Sequence, residues 1–208
     1  MDNYSRLIQN NLDKLYSSLP RDFDQCIQAT RDQDNFKLNA FGNTCVISPE
    51  GICFEFGDNQ TTQSCQDPIV GLLVSLYALN ASDSSMNLTP LKAFKEFPDS
   101  MPYAGAFATH TEQLLAPHVP KIKTQIPRII SNLKGQASPP GTGGDFSFVV
   151  HPLPKIALCY IFYEPDEDFP AGVTCLYSTN ARQFMPVDGL ADVGEYTSRR
   201  IIDLLDSP

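Results

Sequence analysis

Three histidines, six cysteines and one acid-rich turn are the residues whose chemistry could carry a function in this chain. His110 and His118 stand eight positions apart with Glu112 between them, so on a continuous helix they return close to one face after two turns. An imidazole pair of that kind can ligate a metal, a haem iron or the lower face of a corrinoid. A helix end just before Val119-Pro120 gives a simpler reading, in which His118 serves free carbonyls at the C-terminus and His110 is solvated. Cys45 and Cys53 have seven residues between them, and Cys65 follows after eleven more. Neither interval matches the close C-x2-C pairs of zinc or ferredoxin sites, so a centre built from Cys26, Cys45, Cys53 and Cys65 requires the fold to gather them. Reduced thiols packed as small apolar groups, with Cys159 and Cys175 among them, are the economical expectation.

The remaining polar signals are weaker. Glu164, Asp166, Glu167 and Asp168 could hold a hard cation, but they lack the glycine and the ligand order of a calcium loop and read as a solvated connection. Residues 137–144, ASPPGTGG, lack the Lys-Ser/Thr of a phosphate loop. Ser84, Ser85 and Ser178 have no nucleophile-elbow context. Tyr103 and Phe107 share a helical face and, with Phe94, Phe97 and Tyr163, could wall a planar cofactor or simply fill a core.

These residues must be placed by a small set of elements. Tyr4, Leu7, Ile8, Leu12, Leu15, Tyr16 and Leu19 recur at helical steps and predict a helix ending before Pro20, followed by a short helical turn through Phe23 and Cys26. From Asn35 the period falls to two. Strand-like runs then flank Ser48-Pro49-Glu50-Gly51, which predicts an antiparallel meander. Gln66 to Leu79 predicts a buried helix with Asp67 near its start, and Leu88 to Pro98 a short helix with Pro90 in its first turn. Further helices are expected from Tyr103 to His118 and from Ile122 to Gly135, the second with Pro127 inside it. Phe146 to Val150, Ile156 to Tyr163 and Gly172 to Tyr177 predict three strands, the middle one central, and Pro186 to Leu205 a closing helix. The fold class expected is α+β, an antiparallel or mixed sheet covered by the helical middle segment and the C-terminal helix, in one domain over residues 1–208.

Length and charge bound the function. With 208 residues and 42% hydrophobic content the chain can build a core without disulfides or metals. The 24 acidic against 15 basic side chains give a net charge of -9, which disfavours nucleic acid and anionic membrane as partners. The start is neither basic nor apolar, and the longest apolar run, Ile69 to Leu79, is too short to span a bilayer, so a cytoplasmic protein without a membrane span is expected.

The C-terminal third carries a resemblance. His151-Pro152-Leu153-Pro154-Lys155, the acidic turn Tyr163 to Pro170, Leu176 to Ala181 and Phe184-Met185-Pro186 resemble an uncharacterised domain-of-unknown-function family of anaerobic bacteria and archaea. Phe94 to Phe97, Tyr103 and Phe107 resemble its middle section, and the likeness covers about residues 20–205. Pro165 stands where that family has its turn glycine, and Tyr177-Ser178 where it has Phe-Asp. Its members are sometimes fused to an iron–sulfur module of the corrinoid-protein type, so the resemblance implies redox or corrinoid-linked one-carbon work and an iron–sulfur or corrinoid protein as partner. That implication rests on domain association, a weaker warrant than a site.

With no catalytic constellation in the spacing, the expected function is a non-catalytic, cofactor- or partner-binding accessory module. Two alternatives stand beside it. One is a protein with its own metal or tetrapyrrole centre, with Tyr103, Phe107, His110 and His118 as cofactor-binding candidates and His110, His118, Cys45, Cys53 and Cys65 as metal candidates. The other is an enzyme whose site is assembled only in the fold. Corrinoid, haem and iron–sulfur are the cofactors these residues could serve, although the sequence favours none, and it leaves the oligomeric state open.

Overall fold

The computed structural model describes residues 3–56, 61–64, 67–80 and 82–206. The first sheet is a five-stranded antiparallel meander, β1 (Thr30–Asp32), β2 (Asn35–Ala40), β3 (Asn43–Ser48), β4 (Gly51–Phe56) and β5 (Thr61–Ser64). Its inward face follows the period of two: Phe36, Leu38, Ala40, Cys45, Ile47, Ile52 and Phe54 are buried. Helices α1 (Asn3–Ser17) and α3 (Pro68–Leu79) pack on each other and on β4, with the short α2 (Phe23–Ile27) between them in sequence. Asp67 caps α3, accepting a hydrogen bond from the Ile69 amide at 2.9 Å. The β2–β3 turn is made by Phe41 and Gly42, both at positive φ, and a Cβ on Gly42 would meet the Asn132 carbonyl oxygen at 2.5 Å. Phe41 also donates its amide to the Pro152 carbonyl, tying this turn to the second sheet.

The second sheet has the strand order β6 (Lys92–Ala93), β10 (Gly172–Tyr177), β9 (Ile156–Tyr163), β8 (Phe146–Leu153) and β7 (Gln136–Ala137), again wholly antiparallel. β9 is central, and all its residues except Tyr163 are buried. One face of the sheet, through Phe148, Tyr160, Phe162 and Tyr177, joins the main core under α5 (Val119–Asn132) and α6 (Val187–Asp206). The other face, Val149, Ala157, Cys159 and Ile161 with Leu176 of β10 beside them, is covered by Met86, Leu88 and Leu91. That covering explains a correction. No helix forms over Leu88 to Pro98: the segment runs across the sheet, pairs as β6 with β10, and makes only a single turn at Phe94–Glu96. Leu88 and Leu91 are needed against the outer face of the sheet, and Pro90 withholds a backbone donor from any helix there.

The α+β class is as expected, with two antiparallel sheets where one sheet, mixed or antiparallel, was expected. One apolar cluster runs from Leu12 through both sheets to Leu205. Lys155, in the turn between β8 and β9, is buried and donates to the carbonyls of Ser82 and Ser84 at 2.6 and 3.0 Å, pinning the segment that crosses the sheet. Among the described residues no helix is long and apolar enough to cross a membrane.

Candidate functional site

The expected helix from Tyr103 to His118 divides into three pieces. α4 (Met101–Phe107) is followed by a π-turn over Ala108–Glu112 and a tighter 3-10 stretch over Gln113–His118. Each change of pitch rotates the face presented, so the spacing from His110 to His118 is not that of a continuous α-helix. His110 is exposed on the wall of a groove, whereas His118 stands where the 3-10 stretch meets α5. The π-turn also sets Thr111 and Glu112 inward. Glu112 accepts a hydrogen bond from the Cys175 amide at 2.9 Å, capping the edge of β10 one residue before the stretch that pairs with β6.

Behind Glu112 lies a buried polar chain. The Tyr160 and Ser198 hydroxyls lie 3.0 Å apart, Ser198 donates to the Thr111 carbonyl at 2.8 Å, and Tyr177 donates to the Leu190 carbonyl at 2.6 Å. These bonds dock α6 and the π-turn onto the sheet, and burial with a hydrogen bond is what such polar groups require. Burial pushes the Cys175 thiol and the Tyr160 and Tyr177 hydroxyls well up, raises the Cys26 thiol, and lifts Cys159 to about 11. Burial of that kind keeps the Cys159 and Cys175 thiols protonated near neutrality, the opposite of what an activated nucleophile needs. His151, half-buried, is pushed down by desolvation and stays neutral.

Burial likewise raises the Glu112 carboxyl, against the lowering effects of the Cys175 amide and Lys95. A carboxyl whose folded pKa lies above its unfolded value stabilises the fold only while protonated, so its contribution falls as the pH rises from about 4.5. Replacing Glu112 by Gln keeps an acceptor for the Cys175 amide and removes the charge. Urea midpoints measured across pH are expected to coincide for E112Q and wild type in acid and to separate in favour of E112Q towards neutrality. Parallel curves would show that Glu112 carries no such cost.

The other sequence candidates are dispersed. Phe107 is buried, stacked on Phe94 at 4.3 Å and tilted against Tyr177 at 5.9 Å, with Phe97 closing the group, so these rings fill one another's space. Tyr103 is on the surface. Cys45 points into the core opposite Phe54, whereas its neighbour Val46 pairs with Cys53, so Cys45 and Cys53 lie on opposite faces of the first sheet. Cys53 lines a shallow concavity on the outer face with Lys37 and Glu55. Cys65 lies outside the described residues, as do Gln66 and Ala81. Among the described residues no three His, Cys, Asp or Glu side chains gather as a metal site. The acidic turn is a solvated one, with Asp166 accepting from the amides of Asp168 and Phe169 and Glu164 bonded to Lys123.

What the fold does build is a groove of about 650 Å³ between α3, the π-turn and α6, reached also by the start of α1. Leu72, Leu73, Leu114 and Ile202 form its floor. Its rim carries Asp67, Asp192, Glu195 and Asp203 against Arg199, with His110 at one side. Partial desolvation and the like charges of Glu195 and Asp188 raise the Asp192 carboxyl. Tyr4 and Ile69, both on this groove, are 42% and 41% exposed. Sequence reading missed this site because its walls come from residues as far apart as Tyr4 and Asp203. The signal present was local: Asp192, Glu195, Arg199 and Asp203 recur on α6 at helical steps, with Ile202 interleaved.

A family model described as a domain of unknown function, DUF3786, matches residues 20–200. The chain belongs to the DUF3786 family. The match takes in α2, both sheets and α6 as far as residue 200, so the groove residues Asp192 to Arg199 lie inside it, whereas Tyr4 on α1 precedes it and Ile202 and Asp203 follow it. No curated protein and no solved structure matches the chain.

Proposed function

We propose that this DUF3786 protein is a non-catalytic docking module that holds a segment of a partner protein in the groove between α3, the π-turn and α6. The observation that carries this reading is the contrast between two polar settings. The half-buried Glu112 and the buried Tyr160 and Tyr177 are used in holding elements together, whereas the groove offers Leu72, Leu73, Leu114 and Ile202 with exposed charged groups such as Asp192, Arg199 and Asp203 beside them. A floor of Leu and Ile beneath a charged rim is the composition of a recognition surface. The helix α3 supports the same reading: PIVGLLVSLYAL is apolar on every side, yet Ile69, on the groove, is exposed. The partner class that the family resemblance implies, an iron–sulfur or corrinoid protein of a reducing cytoplasm, is the first to test.

Photo-crosslinking amino acids placed at Tyr4 and Arg199, on the groove, and at Arg182, an exposed position away from it, test the proposal in the protein's own host. One and the same protein captured from both groove positions, and not from Arg182, is the expected result. No capture, or equal capture from Arg182, overturns it.

A further inference from the structure

We infer that the segment held in the groove is a cationic amphipathic helix of the partner; this deepens the docking reading above and rests on it. The walls decide the shape of the occupant. α6 presents Asp192, Glu195, Tyr196, Arg199, Ile202 and Asp203 along one side, a stripe of about three turns and about 17 Å. α3 presents Asp67, Ile69, Leu72 and Leu73 along the other. A trough bounded by two helices accepts a third in the way helices pack on helices, side-chain ridges into grooves, with apolar residues recurring at three- and four-residue steps.

Charge decides its chemistry. Four carboxylates, Asp67, Asp192, Glu195 and Asp203, line the groove against one guanidinium, Arg199, which pairs with Glu195 at 2.6 Å, so the lining as a whole is acidic. Partial desolvation first, and then the like charges of Glu195 and Asp188, raise the Asp192 carboxyl, and a Lys or Arg arriving there relieves the repulsion. A segment with Leu-like residues on one face and Lys or Arg flanking them matches floor and rim together. An acidic helix meets repulsion, and a purely apolar one desolvates the Asp192 carboxylate further without offering it a charge.

The probe is a synthetic peptide of about 18 residues, with leucines at i, i+3, i+4 and i+7 spacing and lysine and arginine on the flanks. Two controls accompany it: the same pattern with glutamate in place of the basic residues, and a scramble of the basic sequence. Binding to the full chain is followed by fluorescence anisotropy at several salt concentrations. The basic peptide is expected to bind and the two controls not to, with affinity falling as salt rises, because exposed charges are screened beyond about 10 Å at 0.1 M. Asp192→Lys and Ile69→Glu, both at exposed positions and checked for unchanged circular dichroism, should each weaken binding about tenfold. Asp166→Lys, the same charge reversal in the acidic turn, should leave it unchanged. Equal weakening by Asp166→Lys and Asp192→Lys overturns the inference, since net charge alone then explains binding. Equal binding of the scramble, or displacement by spermine alone, overturns the helix. A concentration-dependent dimer dissolved by Ile69→Glu assigns the groove to a second copy of this chain and overturns the inference as well. If crosslinking captures one protein from the groove but the basic peptide does not bind, the inference fails while the docking function stands. If the peptide binds and crosslinking captures nothing, the docking function fails and takes the inference with it.

Discussion

Phe107→Ala is expected to lower stability by about 3–5 kcal/mol, enough to move the melting midpoint by on the order of 10 °C in a chain of this size. The ring has no exposed edge to lose. It stacks flat on Phe94 at 4.3 Å and touches Tyr177, whose hydroxyl is tied to the Leu190 carbonyl, while Phe94 is held against Phe97. None of these neighbours can collapse into the space, so the cavity persists and its cost is added to the lost burial. Tyr103→Ala, one turn earlier on α4 at a surface position, should change stability by no more than about 0.5 kcal/mol. The pair separates two readings of the same aromatic face. A wall that waits for a planar cofactor tolerates truncation of Phe107 in the empty protein and loses only ligand, whereas a self-filled cluster loses the fold. Thermal denaturation of both variants decides, and a Phe107→Ala protein melting within a degree or two of wild type would sink the packed-cluster account.

The same cluster shows how far residues in sequence speak for residues in space. Periodicity placed α1, the meander strands β2 to β4, β8, β9, β10 and α6, because each of these elements buries one face or both and its apolar spacing therefore repeats the geometry. It failed over Leu88 to Pro98, where Leu88, Leu91, Phe94 and Phe97 are apolar at helical steps for a different reason: the first two cover one side of the second sheet and the last two enter the aromatic cluster on the other. It failed again at the π-turn, since one extra residue in a helical turn leaves the apolar count almost unchanged while rotating everything beyond it. That change of pitch puts His110 in the π-turn on the groove wall and His118 at the junction with α5, and sets Glu112 inward. The groove was beyond reach for another reason. Tyr4, Asp67, Leu114 and Asp192 belong to four elements whose mutual placement depends on the packing of α6 against α3 and the π-turn, and no local pattern encodes that. The family resemblance was legible over nearly the span that the DUF3786 model matches, because strand-bracketing prolines and an acidic turn are local features.

Gly194→Ala tests the joint on which all of this depends. Within a helix the exchange normally stabilises by about 1 kcal/mol, because alanine gives up less backbone freedom than glycine. Here the added Cβ would stand 2.5 Å from a ring carbon of Phe107, 2.9 Å from the Tyr177 hydroxyl and 3.0 Å from the Thr111 hydroxyl. None of the three is the loose end of a flexible chain: Phe107 is clamped by Phe94, Tyr177 is bonded to α6 itself, and Thr111 is buried in the π-turn. Overpacking against such neighbours costs about 1–3 kcal/mol and outweighs the helical gain. The simplest relief is for α6 to lift from the π-turn, which separates Ser198 from the Thr111 carbonyl and shifts the walls that carry His110 and Asp192. Gly194→Ala is therefore expected both to melt earlier than wild type and to bind the basic peptide more weakly, although no residue of the groove has been changed. Gly105→Ala, on α4 with nothing within 4 Å of its new Cβ, should instead hold or raise the melting temperature. Were Gly194→Ala as stable as Gly105→Ala, the close contact between α6 and the π-turn would not exist as described, and the groove bounded by those two elements would lose its physical basis.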